Sequence, residues 1–160
     1  MSAQVIPLRK PAPTPESGEA LLVTVSELHA LITLDPILGA SPVRIYFVFN
    51  PEARAKIAAS HAATGAPGRD HTPAYVLVAY DFPFALHLLQ GIAARVTRER
   101  AKQIATCSAG LQAESLVAAA AALGLAAHPV PGFDASALKA AFFANTQETV
   151  IQLFQLDFAA

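Results

Sequence analysis

From Ala109 to Leu123 the sequence reads AGLQAESLVAAAAAL, and Gln112, Glu114 and Ser115 are its only polar residues. No other segment constrains the fold as much. The helix predicted here runs from about Thr97 to Leu123, charged in its first third and almost wholly Ala, Leu and Val in its last, with Gly124 as C-cap. A helix apolar on every face has to be covered on every face. A bilayer span needs about 20 uninterrupted apolar residues, and the run from Leu116 to Ala127 falls short of that. The remaining cover is protein.

Composition asks for the same thing. Hydrophobic residues make up 54% and charged residues 14% of the 160, with a mean hydropathy of +0.42. That excludes a disordered chain. A monomer of this size buries about 70% of its extended-chain surface, so part of the apolar surplus is expected at a subunit interface. Arg9 and Lys10 are followed by Pro11, Pro13 and Pro15 where a secretory signal would carry its apolar region, so the expectation is a cytoplasmic protein with no membrane segment. The net charge is -1, and the only basic group is Arg95, Arg98, Arg100 and Lys102, which leaves nucleic-acid binding without support.

Residues 1–20 are rich in Pro, Ser and Gly and read as an extended arm; residues 21–160 form one domain. A short helix is predicted after Ser26 as N-cap, with Leu28, Leu31 and Ile32 on one face before Asp35 and Pro36. The run VRIYFVF at 43–49 predicts a central strand covered on both sides, and Asn50-Pro51 predicts a helix start running through about Ala59. His61 to Pro73 reads as loop and Ala74 to Tyr80 as a second buried strand. Residues 81–94 fit neither pattern well, with Pro83 interrupting an apolar stretch. Asp134 is placed to cap a helix through Phe143, and Glu148 to Leu156 is a third strand. Strands alternating with helices give an α/β or α+β domain.

Two segments carry a resemblance. One is SPVRIYFV at 41–48. The other runs from Ala109 to Asp134, where a small-residue helix, Leu123-Gly124-Leu125 and the turn PVPGFD at 129–134 follow one another. Together with Ala140 to Phe143 and the closing strand, they resemble the flavin-dependent nitroreductases, and within them the branch containing malonic semialdehyde reductase. The resemblance covers about two thirds of the chain. It implies an α+β, three-layer fold: a central, mainly antiparallel sheet flanked by helices, with the long helix buried at the interface of an intertwined homodimer. It also implies FMN bound between the subunits, NAD(P)H as co-substrate, and hydride transfer to or from a small oxidised substrate.

Residue by residue, the resemblance implies Arg9 and Lys10 at the FMN phosphate. Ser41 is the polar side chain left in the loop PILGASP, where the family also has an Asn. Pro131 and Gly132 fall where two backbone N–H groups point at the reactive edge of the flavin. Proline has no N–H, so one donor of the two remains. Arg44 is a further available phosphate ligand without family precedent. Family members continue past the last strand with basic residues and a segment that crosses to the partner. The sequence stops at LDFAA, and both are expected to be absent, with a compact lid at Asp81 to Val96. These departures support a second reading of a different class: a flavin-free protein of the same fold, acting as a binding or accessory subunit beside a flavoprotein partner.

Other chemistry is sparse. Cys107, the single cysteine, reads as a small buried hydrophobe. The histidines at 29, 61, 71, 87 and 128 lack the three- or four-residue spacing of a helical metal site, although His61 and His71 could meet beside Asp70; no metal is expected. His128, just before the PVPGFD turn, is the histidine best placed to face a flavin. Glu114, in an apolar helix, is expected to pair across the dimer with Arg44.

Overall fold

The computed structural model describes residues 24–28, 42–62 and 74–159. Arg9, Lys10, Ser41, His29, Leu31, Ile32, Asp70 and His71 lie outside them. The described chain runs β1 (Val43–Val48), α1 (Pro51–Ala62), β2 (Ala74–Asp81), α2 (Phe82–Ile92), α3 (Arg98–Ala122), β3 (Leu125–Pro129), α4 (Ala135–Phe142) and β4 (Glu148–Phe158). The four strands form one sheet in the order β1-β2-β4-β3, and every neighbouring pair is antiparallel. This is an α+β domain.

Strand alternation sorts the side chains into two cores. Val76, Val78 and Tyr80 of β2 face α3 together with Phe154 and Leu156 of β4, and the helix meets them with Ala105, Ala109, Ala113, Leu116 and Ala120. Tyr75, Leu77 and Ala79 face the other way, toward Ile57 of α1 and Leu138 of α4. Helices thus cover both faces, which explains why β2 is buried from Ala74 to Tyr80. Alanine at five of six buried α3 positions lets the helix axis approach the sheet closely.

Local signals set the element ends. The Asn50 side chain accepts from Glu52 N and Ala53 N at 2.9 and 3.3 Å. Asp134 accepts from Ser136 N and Ala137 N, both at 3.0 Å, and Thr97 accepts from Arg100 N. Gly124 ends the turn after α3 with φ +74, the left-handed region glycine enters without a steric cost.

Several expectations need correction. Residues 24–28 are helical, so Ser26 lies inside a helical turn and not at its cap. Strand β1 is an edge strand among the described residues, half-buried along most of its length, and β2 and β4 are central. Pro83 stands in the first turn of α2, where a missing N–H breaks no bond, and Asp81 caps that helix through Phe84 N at 3.1 Å. The segment LAAHP at 125–129 is a strand that its own residues do not announce; the free edge of β4 imposes it.

The long helix is not covered on every side within the described chain. Its 25 residues reach spanning length and composition, longer than the apolar run read from the sequence. One stripe nevertheless packs on the sheet, and the helix carries Arg98, Glu99, Arg100, Lys102 and Glu114. The opposite stripe faces outward: Leu111 is 66% exposed, Val117 37%, and Cys107 is exposed, not buried. Leu116→Ala, which empties a fully buried position under the helix, is expected to cost about 2–5 kcal/mol, whereas Leu111→Ala should stay within about 0.5 kcal/mol for the isolated protomer. Denaturant midpoints of the two variants check this.

Candidate functional site

The PVPGFD turn is anchored at both ends. Val130 N donates to Leu153 O on β4 at 2.9 Å, and Asp134 N donates to Ser60 O at the end of α1 at 3.1 Å. Between these anchors Pro131 and Gly132 are exposed, and Gly132 has φ +70. A Pro-Gly pair with positive φ on the glycine is the signature of a type II turn. Pro131 therefore stiffens the turn while removing an N–H. The Gly132 N–H has no acceptor among the described residues, so the turn presents one free, fixed donor.

Strand β4 contributes an irregularity at the same height. Val78 pairs with Gln152 but Ala79 pairs with Val150, leaving Ile151 as an extra residue. Cross-strand partners share a face, so Gln152 follows Val78 toward α3, and Ile151 also packs against that core. The bulge turns two consecutive side chains to one side. Here β3 has already ended, with Pro129 opposite Phe154, and the edge of β4 is open.

Turn, bulge and helix enclose an open groove of about 870 Å³, within the range of small-molecule sites. Its walls are Gly110, Ala113, Val117, Ala118 and Ala121 of α3, residues 129–131 and Phe133 of the turn, and residues 151–154 of β4, with Glu114 at its margin. The small helix residues leave room for a flat ring. Gln152 Oε1 is buried without a partner among the described residues, an acceptor that a ligand N–H would satisfy. Among the described residues no cation lines the groove. Its chemistry suits the ring of a flavin and not a phosphate.

Of the expected site residues, Pro131 lines this groove and Gly132 completes its turn. Arg44 does not belong to it. It shares the face of Tyr46 and Val48, which pack toward α1 and α4, and its Nε lies 3.2 Å from Glu148 Oε1. The same oxygen accepts from Tyr46 Oη at 2.6 Å, and Lys139 Nζ donates to Glu148 O at 2.9 Å. Burial, followed by the Glu148 carboxylate, pushes the Tyr46 phenol above its usual pKa. Arg44 is thereby ion-paired within its own chain, on the face of the sheet away from the groove. Glu114 itself is exposed on the outward stripe.

His128 alternates with the core-facing Leu125 and Ala127, so it lies on the face away from α3 and outside the groove. His61 sits in the last turn of α1, 2% exposed, and its Nε2 shares a hydrogen bond with Tyr75 Oη at 3.1 Å. No metal-binding group of three or more side chains occurs among the described residues. The sequence offered no sign of the bulge at Ile151 or of Gln152, because a bulge is set by pairing and not by residue type.

These features define a class of protein: a three-layer α+β domain with an apolar groove between a small-residue helix and a Pro-Gly turn. The chain belongs to the nitroreductase family. It is 33% identical over 144 residues to a Caulobacter vibrioides (strain NA1000) protein provisionally named NADH dehydrogenase/NAD(P)H nitroreductase, covering 85% of this chain and 71% of that one. It is 36% identical over 132 residues to a like-named protein of Rhodopseudomonas palustris, covering 76% and 67%. The fold matches the crystal structure of a nitroreductase family protein from Streptococcus pneumoniae with a TM-score of 0.69, at 17% identity over 92% of this chain and 84% of that one. A nitroreductase from Exiguobacterium sibiricum, provisionally so named and solved in complex with FMN, matches with a TM-score of 0.64 at 17% identity, over 85% and 77%. No protein-family profile matches the chain.

Burial holds the His61 pKa below its ordinary value. Above pH about 6.5 the ring is neutral in both folded and unfolded chains and its contribution is complete. As pH falls below that, the unfolded chain binds the proton first and stability is lost. Unfolding followed between pH 8 and 5 should show this loss, and His61→Phe should flatten it.

Proposed function

We propose that this chain is one protomer of an FMN-dependent oxidoreductase of nitroreductase type, which moves hydride between NAD(P)H and a small oxidised substrate. The observation that carries the reading is the free Gly132 N–H on a rigid turn beside the apolar groove. When bound, FMN supplies the two-electron chemistry that no side chain provides. The chain's own residues do the rest. Gly110, Ala113, Ala118 and Ala121 give a flat, close wall; Val117 and Phe133 exclude water; Gln152 accepts a ring N–H. The Gly132 N–H stabilises negative charge that develops beside it, a fixed donor needing no reorganisation as charge builds.

Arg9, Lys10 and Ser41 are assigned to the phosphate and the ring in this reading, with Arg44 a further available phosphate ligand. The outward stripe of α3, with Leu111 and Val117 exposed, is assigned to a second copy that closes the groove. The PVPGFD turn supports placement in the branch that contains malonic semialdehyde reductase. A cytoplasmic setting, where Cys107 remains a thiol, completes the proposal.

Pro131 in place of a second donor supports the competing assignment, a flavin-free subunit. Colour separates the two. Purified protein should absorb at about 450 nm, as flavins do, or quench FMN fluorescence saturably on titration; a colourless protein that leaves FMN fluorescence unchanged overturns the flavin assignment. Gly132→Val should lower turnover by about tenfold or more, with about 1–2 kcal/mol of lost stability from a Cβ forced into positive φ. Leu111→Glu should convert a dimer to a monomer on size exclusion, and a wild-type monomer contradicts the assignment of the outward stripe.

A further inference from the structure

The basic group in this sequence does not lie on a featureless surface. Arg98 and Lys102, one turn apart on α3, line a second cleft of about 560 Å³ with Tyr80, Thr106 and Thr149. Among the described residues neither cation has a carboxylate partner at ion-pair distance. Glu99 also lines the cleft and neutralises neither cation at contact distance. The Arg98 guanidinium lies 5.3 Å from the centre of the Phe82 ring, which holds its plane and leaves its N–H edges available.

The sheet supplies the second half. Tyr80 pairs with Thr149 across β2 and β4, so the two residues stand side by side on the face toward α3. Tyr80 is 5% exposed as a residue, and its hydroxyl, which has no hydrogen-bond partner among the described residues, is reached from the cleft that Tyr80 lines. Burial, followed by the charge of Asp81, pushes its pKa up to about 12, so it stays a neutral O–H donor at working pH. Two charged donors and two hydroxyls therefore face one cleft.

We propose that this cleft is a receptor for a phosphate-type oxyanion carried by a small ligand. Charge-assisted donors from Arg98 and Lys102 take two of its oxygens, and the hydroxyls of Tyr80 and Thr149 complete the set. Ile151, the bulged residue, lines both this cleft and the apolar groove. A ligand with its apolar part in the groove can thus place its anion here: the helical rise from Lys102 to Ala113 spans about 16 Å, a nucleotide's length. The proposal does not rest on flavin occupying the groove, because the donors and the cleft are complete without it.

The test is a titration of the purified protein with inorganic phosphate and with pyrophosphate, followed by 31P line broadening and calorimetry. Saturable binding is expected. Lys102→Ala should weaken it by about tenfold or more, the loss of a charge-assisted bond, and Tyr80→Phe by about three- to tenfold, the loss of a neutral one. Arg95→Ala, an exposed cation outside the cleft, should leave it unchanged. Pyrophosphate binding more tightly than phosphate assigns the anion to a dinucleotide; equal affinities assign it to a phosphorylated substrate. Linear, unsaturable uptake, equal losses for Arg95→Ala and Lys102→Ala, or acetate displacing phosphate at equal concentration each overturns the proposal. Phosphate binding in a protein that ignores FMN would leave this cleft standing while the flavin assignment fell.

Discussion

The contact on which the rest of the structure depends is the packing of α3 on the sheet. Ala105, Ala109, Ala113 and Ala120 bring the helix down onto Val76, Val78, Phe154 and Leu156. Small side chains make this possible because separation between packed elements follows the residues at the contact. With the helix fixed, Gly124 turns the chain back, and β3 is laid against the free edge of β4. The turn at 129–134 then falls beside the middle of the same helix. A bulky residue in the alanine stripe would lift the helix and remove the groove's wall together with the core.

The groove is a consequence of where pairing stops. Strand β3 ends at Pro129, a residue unable to donate to a ladder, and one further bond from Val130 N to Leu153 O pins the chain before it leaves the sheet. Beyond that point β4 has no neighbour on that side among the described residues, and its bulge sends Ile151 and Gln152 toward the helix. An edge left open in this way is a liability unless something covers it. In the proposed function, the cofactor and a second copy provide that cover.

Much of the fold was legible because its signals are local or periodic. The caps at Asn50 and Asp134 act within three residues of themselves, and the buried strand at 74–80 is apolar on both faces because helices lie on both sides. What was not legible depends on partners distant in sequence. LAAHP becomes a strand because β4 offers an edge. VRIYFVF, β-rich throughout, sits at an edge because sheet order is set by connections and not by propensity. In the site, PVPGFD stood out and does form the turn beside the groove. The ion pair of Arg44 was not legible, because its charge is visible in the sequence while its partner, Glu148, lies 104 residues away. Gln152 and the Tyr80 cleft escaped notice because ordinary strand residues become chemical only through the faces they share.

The central claim is that the groove between α3, the PVPGFD turn and the bulge of β4 receives the flavin ring. Hydrogen exchange followed by mass spectrometry, with and without FMN, tests it at the residues concerned. The account predicts slowed exchange in peptides spanning 129–133 and 151–154 when FMN is present, with the α1 peptide at 51–62 unchanged. FMN that slows exchange nowhere in the turn or the bulge, or only on the α1 face of the sheet, would contradict it.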